Sequence, residues 1–317
     1  MKKLSLRANG SFKILQFTDL HLQDGGTEDQ KTITLMELIL KTEKPDFVVL
    51  TGDTIRAAKS SDPIQAFSLA AGPMEERHIP WSAVFGNHDD EGNATKEDLI
   101  QLQQLNPHCL SRSGEVGVSG IGNYDIPVFN ENGDISFVLY FFDSGTVAPA
   151  AIGGYDWIKR SQIEWYEERS RHYFKIKRTN IPSLAFFHIP LTEFRDLWNC
   201  HDCFGSKNEA VGCPKVNTGL FASMVERKDV KGIFVGHDHI NDFYGDLFGI
   251  RLAYGRATGF NTYGKEGFLR GARIIELKDR TVRTWIRLED ESVICNPPLH
   301  KAEGLVEEYE SPYVEVQ

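Results

Sequence analysis

The chain has 317 residues, 41% hydrophobic and 25% charged, with a formal net charge of −10. That is the balance of a folded protein with a sizeable core, and long disordered tracts are not expected. The acidic surplus argues against a non-specific nucleic-acid binder, which needs a basic surface. No apolar run approaches the 18 or so residues of a membrane span, and the Lys2-Lys3 start is not followed by the apolar core of a secretory signal. Five irregularly spaced cysteines fit a reduced chain, so a cytoplasmic protein is expected.

In chain order, the first elements are short apolar runs that end in polar, ligand-type residues. FKILQFTDLHL, PDFVVLTGDTI and IPWSAVFGNHDDE read as buried strands with their functional groups at the carboxyl end. Between them, Glu28 to Lys41 carries apolar residues at three- and four-residue spacing, and Pro63 to Arg77 opens with a proline in its first turn; both predict helices. Asp19, Asp53 and Asn87 stand 34 residues apart, about the length of a strand-helix-strand unit.

The middle is richer in turns. DIPVFN and ISFVLYFFDSG predict strands joined through Glu131-Asn132-Gly133, and Ser161 to Phe174 predicts an amphipathic helix. PSLAFFHIPL and KGIFVGHDHIND repeat the strand-then-ligand pattern. Between those two, Thr192 to Pro214 reads as a long excursion on the ligand side, with Cys200, Cys203 and Cys213 as free thiols. Beyond residue 240 the pattern turns antiparallel, with Lys278-Asp279-Arg280 as a hairpin turn. The stretch from 296 to 317 reads as a surface tail. No long linker divides the chain, so residues 1–317 are expected to form one domain with its core over about 12–290.

In open α/β sheets ligands gather beyond the carboxyl ends of the strands. That edge collects Asp19, His21, Asp53, Asn87, His88, His188, His237 and His239. Imidazole, carboxylate and amide oxygen together suit first-row metals such as Zn, Mn or Fe. Calcium and magnesium prefer all-oxygen sites. Eight groups exceed the needs of one ion; two ions about 3.5–4 Å apart sharing a carboxylate use them economically. Asp53, lying between the two sets, is the natural bridge.

The five blocks Asp19-x-His21, Gly52-Asp53, Gly86-Asn87-His88-Asp89, a lone His188 and Gly236-His237-Asp238-His239, in that order, resemble the calcineurin-like metallophosphoesterase superfamily. The fuller segments GYDWIKRSQIEWY, FFHIPLTEF, VNTGLF, GHDHINDF and YGKEGF are similar to its purple-acid-phosphatase-like group, found in plants and among fungal Dcr2-type phosphatases. The resemblance implies a four-layer α/β/β/α sandwich and a metal-dependent phosphoesterase acting on monoesters or diesters. It implies one ion on Asp19, His21, Asp53 and His239, and a second on Asp53, Asn87, His188 and His237. Hydroxide available at neutral pH would attack phosphorus in line.

On this reading His88 is the general acid or oxyanion stabiliser, and Asp89 is expected to orient its ring. His237 and His239 are expected to project to one side of an extended chain, with Asp238 turned away. Tyr155 and Tyr263 are candidate substrate contacts, alongside Asn87 and His88. Lys265 reads as a solvated surface residue. One departure stands out: Arg56 occupies the place of the tyrosine that follows the bridging Asp by three residues in true purple acid phosphatases. Without tyrosinate-to-iron charge transfer, this chain is expected not to be purple. The expected partner is a small phosphorylated substrate or a phosphoprotein, with no nucleic acid and no membrane. A nuclease of the same fold and a non-catalytic interaction module are the alternatives.

Overall fold

In the computed structural model, which describes residues 3–279 and 281–302, the first half alternates strand and helix. β1 (Leu4–Ser5) and β2 (Phe12–Phe17) lead into α1 (Thr27–Glu43), β3 (Phe47–Thr51), α2 (Pro63–Glu76), β4 (Trp81–Val84) and α3 (Lys96–Leu105). The expected α2 opening is present: Pro63 takes the first turn, and Asp62 accepts the backbone N–H of Gln65, meeting one of the donors a helix start leaves unpaired.

The middle follows with the hairpin β5 (Tyr124–Phe129) and β6 (Ile135–Phe141), then α4 (Arg160–Lys177), β7 (Ser183–Phe186), α5 (Glu193–Cys200), β8 (Cys203–Phe204), α6 (Leu220–Arg227) and β9 (Val230–Val235). The last elements are β10 (Tyr244–Leu247), β11 (Ile250–Tyr254), β12 (Gly271–Lys278), β13 (Thr281–Leu288), β14 (Val293–Ile294) and β15 (Leu299–His300). The expected 192–214 loop thus contains a two-turn helix and a short strand, and α3 and α6 are additions to the sequence reading. Of the expected tail, residues 296–302 are described, with β15 paired to β8; 303–317 lie outside the described residues.

Among the described residues the strands form two mixed sheets. One runs β14-β13-β12-β2-β3-β4 and the other β1-β5-β6-β7-β9-β11-β10-β8-β15. The parallel pairs are β2–β3 and β3–β4 in the first sheet, and β1–β5, β6–β7, β7–β9 and β9–β11 in the second. The central strands are mostly apolar because both of their faces are covered.

Side chains alternate between faces along a strand, and the core records it. Leu15 and Phe17 of β2 and Val48 and Leu50 of β3 pack with α1, α2 and α3. Their neighbours Phe12, Ile14, Phe47 and Val49 face the other sheet and meet Leu139, Phe141, Leu184, Phe186 and Phe234. On the far side Val138, Tyr140, Ala185 and Ile233 pack against residues of α4, α5 and α6. Three apolar interlayers separate four layers, the α/β/β/α sandwich the sequence implied. The carboxyl ends of β2, β3, β4, β7 and β9 open on the same edge.

Candidate metal centre

The chain leaves each of these strand ends through a sharp turn. Asp19, His21, Asp53 and His237 have φ values of 54°, 48°, 48° and 81°, the left-handed region that is uncommon for residues with a Cβ. Clustered backbone strain of this kind marks sites where side-chain direction matters more than local comfort. The turn at His237 also corrects an expectation. His237 and His239 do not project from an extended strand; the turn sends the His237 ring to His188 and the His239 ring to His21 and Asp19.

Two glycines let the turns approach. A Cβ on Gly86 would stand 2.1 Å from Asp53 Oδ1, and one on Gly52, whose φ is +86°, would stand 2.6 Å from His188 Nδ1. No side chain fits at either place.

Two groups of donors result. Asp19, His21, Asp53 and His239 form one; Asp53, His188 and His237 form the other. Within each, the ligand atoms lie within 4.8 Å of one another, and all six residues are buried. Asp53 belongs to both: its Oδ2 lies 3.5 Å from His21 Nε2 and 3.2 Å from His188 Nε2. Paired ring nitrogens face each other at 3.2 Å, His21 Nε2 against His239 Nε2 and His237 Nδ1 against His188 Nε2. Asn87 lies between Gly86 and His88, whose backbones both meet Asp53, and its Oδ1 is buried with no hydrogen-bond partner. An unpaired buried carbonyl oxygen is costly, and a cation relieves it. The donor set therefore fits two metal ions. The chemistry of the donors does not distinguish among Mn, Fe and Zn.

The electrostatics agree. Burial works against the ionised form of Asp19, but the His239 ring outweighs it and holds the carboxyl down at about 2. Burial likewise opposes ionisation of Asp53, and His188 holds it well below the usual carboxylate range. Burial keeps the His21 and His237 rings neutral, lowering them to about 4 and about 3, so their lone pairs are available as ligands. Only His188 goes the other way: burial is outweighed by Asp53, and the ring is raised to about 9. A metal entering the site displaces that proton. The Thr51 carbonyl, 2.8 Å from His188 Nδ1, accepts its N–H and turns Nε2 towards the carboxylates, a common support for a ligating histidine. Thr262 Oγ1 does the same for His239 Nδ1.

The expectation for Asp89 is overturned. Its carboxylate accepts the backbone N–H of Gly86 at 2.7 Å and of Ile55 at 2.9 Å, so it ties the two ligand turns together. Burial, reinforced by the charge of Asp53, pushes it up to about 7. The His88 ring instead meets Glu91, with Nδ1 2.8 Å from Oε2. Glu91 was within reach of sequence reasoning, three residues after His88 in the same turn. Asp238 turns away as expected and accepts from the Tyr254 hydroxyl at 2.5 Å and the Gly212 N–H at 3.0 Å.

Tyr155 and Tyr263 both reach the cluster. The Tyr155 ring stands edge-on to His237 with centroids 4.3 Å apart, and Tyr263 stacks on His239 at 4.2 Å. The Tyr263 hydroxyl donates to Glu209 Oε2 at 2.7 Å; neither Glu209 nor Thr262 carried a sequence signal, because each reaches the site from a distant loop. Exposed Lys265 donates to Asn208. Cys200, Cys203 and Cys213 are free thiols and belong to neither donor group.

Comparison with known proteins accounts for this arrangement. The family model for calcineurin-like phosphoesterases matches residues 12–241. The chain belongs to the calcineurin-like phosphoesterase family. It is 33% identical to probable inactive purple acid phosphatase 29 of Arabidopsis thaliana, over 91% of this chain and 85% of that one. It is 34% identical to phosphatase DCR2 of Saccharomyces cerevisiae over 90% of this chain, which spans about half (55%) of that longer protein. Among solved structures, a dimetal phosphatase from Danio rerio shares the fold with a TM-score of 0.62 at 11% identity, covering 92% of this chain and 98% of that one. No described helix of this phosphoesterase is long and apolar enough to cross a membrane.

Proposed function

We propose that this phosphoesterase hydrolyses phosphate esters, monoesters or diesters, at two metal ions. The observation that carries the reading is the double donor cluster with Asp53 common to both halves. Asp19, His21, Asp53 and His239 would hold one ion, and Asp53, Asn87, His188 and His237 the other. Such ions supply Lewis acidity towards phosphoryl oxygens and lower the pKa of water to about 7.

The chain's own residues do the rest. His88 is 31% exposed at the side chain, unlike the buried ligands, so a substrate can reach it. Its backbone N–H donates to Asp53 Oδ1 at 2.9 Å, which places the imidazole beside the cluster, its centroid 5.2 Å from that of His21. From there it donates a proton or hydrogen bond to the departing ester oxygen, the group in greatest need of stabilisation. Tyr155 and Tyr263 wall the approach over the two histidine pairs and contact the ester's organic part.

The names of the Arabidopsis relatives include the word inactive, and this favours a second reading, a binding module without turnover. The complete donor set of this chain speaks for the enzyme. Metal-stripped protein, supplied with Mn, Zn, Fe or Ni, decides between them on p-nitrophenyl phosphate and bis-p-nitrophenyl phosphate. Turnover restored by metal and lost in His88→Ala supports the enzyme. Two ions bound per chain with no turnover on either ester supports the binding module.

A further inference from the structure

The His88 backbone is fixed on both sides, by Asp53 Oδ1 on its N–H and by the Ala57 N–H on its carbonyl at 3.1 Å. The backbone does not fix the ring, which can still rotate. Two other rings at the cluster have partners of their own, Thr51 for His188 and Thr262 for His239, whereas the Nδ1 of His21 is buried without one. Asp89, next in sequence, has both oxygens taken by backbone N–H groups. Among the described residues the hydrogen-bonding partner of the His88 ring is Glu91, whose Oε2 faces Nδ1 at 2.8 Å.

We infer that Glu91 is a positioning residue: its carboxylate holds the His88 imidazole through Nδ1–H and so presents Nε2 to the ester oxygen that leaves. The inference rests on the phosphoesterase reading above for its consequence, though the contact itself stands apart from it. A carboxylate on one ring nitrogen fixes the orientation and tautomer of the other. The i, i+3 spacing brings the two side chains together within a single turn, without a contribution from any other loop. In the reaction the acting form of the ring is the imidazolium: the phosphorus–oxygen bond to the leaving group breaks as that oxygen takes the Nε2 proton, and the ring keeps Nδ1–H on Glu91. Water forms the new phosphorus–oxygen bond and sheds one proton to solvent, and a proton from solvent returns to Nε2. Glu91 belongs to neither donor group, and its contribution is to the angle at which the proton is offered.

The test uses the full-length, zinc-loaded protein with Glu91→Ala and Glu91→Gln. With 15N-labelled histidine, the ring resonances of His88 are identified by their loss in His88→Ala. At a pH where the ring is neutral, the wild type and Glu91→Gln are expected to carry its single proton on Nδ1, since a carboxamide oxygen still accepts it, and Glu91→Ala to lose that preference. In turnover, Glu91→Ala is expected to lower kcat about 10- to 100-fold, with KM changed less than about twofold and metal content unchanged. The loss is larger for phenyl phosphate than for p-nitrophenyl phosphate, whose leaving group needs no proton. Glu91→Gln restores most of it. An unchanged His88 tautomer in Glu91→Ala overturns the inference, as does an equal loss on both esters without rescue by glutamine. Wild-type protein without turnover overturns the phosphoesterase reading alone, and the ring measurement still decides the role of Glu91.

Discussion

Asp53 is the residue on which the two donor groups depend, because Oδ2 faces a histidine of each group while Oδ1 accepts the His88 N–H. Asp53→Asn keeps the shape and removes the charge. It is expected to lower bound metal from two ions to at most one and to abolish turnover, whereas His88→Ala abolishes turnover with metal content nearly intact. Metal analysis of the two variants separates the roles, and two ions retained in Asp53→Asn contradicts the bridging assignment. A subtler change tests the packing around the same carboxylate. Gly86 is not a ligand, yet a Cβ there falls 2.1 Å from Asp53 Oδ1. Gly86→Ala must displace the carboxylate, and a loss of metal affinity of about 10- to 100-fold is expected, the scale of outer-shell changes. Gly72→Ala in α2, where an added Cβ meets nothing within 4 Å, is the control that leaves affinity unchanged.

Among the elements, those that sequence reasoning found and those it missed differ in a physical way. The five strand-then-ligand segments were legible because buried parallel strands need long apolar runs, and polar residues at their ends have no packing role to explain them. Helix α3 was missed because its apolar content is thin, although Thr95 and Asp98 form a capping box, a signal visible in the sequence. Helix α5 spans only two turns, with Phe194 and Leu197 as its buried residues, too short for periodicity to register. The Tyr263–Glu209 pair, 54 residues apart, was invisible for a different reason: side-chain pairing between loops follows backbone geometry, which composition does not specify.

Helix α3 also carries the clearest stability test among the elements. Lys96, buried near its start, bonds both oxygens of Asp143 at 2.9 and 3.1 Å, and Asp143 further accepts the N–H groups of Ile121 and Gly145. The pair joins a helix on the six-stranded sheet to the loop that follows β6 of the other sheet. Lys96→Met leaves a buried carboxylate without its cation, a change that costs about 3–5 kcal/mol. The double variant Lys96→Met/Asp143→Asn removes the stranded charge and is expected to recover at least half of that loss in urea unfolding. A single variant as stable as the wild type shows that the pair contributes nothing.

At the scale of the molecule, the ligands come from both sheets. Asp19, His21, Asp53 and Asn87 follow β2, β3 and β4 of the six-stranded sheet. His188, His237 and His239 follow β7 and β9 of the nine-stranded sheet. Each donor group takes residues from both, so an ion in either group would tie together the carboxyl edges of two layers that are otherwise held by the apolar interlayer between them. A ligand that binds only the folded state stabilises it by about 2.7 kcal/mol at a concentration 100 times its Kd. Two such sites contribute about 5 kcal/mol, which for a chain of this size raises Tm by roughly 10 °C. Chelation is therefore expected to lower Tm by that amount, and free metal at about 100 times Kd to restore it. Removing a donor from either sheet, by Asp19→Ala on one or His237→Ala on the other, is expected to remove part of the metal-dependent rise. A Tm unmoved by chelation would mean that the apolar interlayer alone sets the stability and that the ions serve chemistry without joining the sheets.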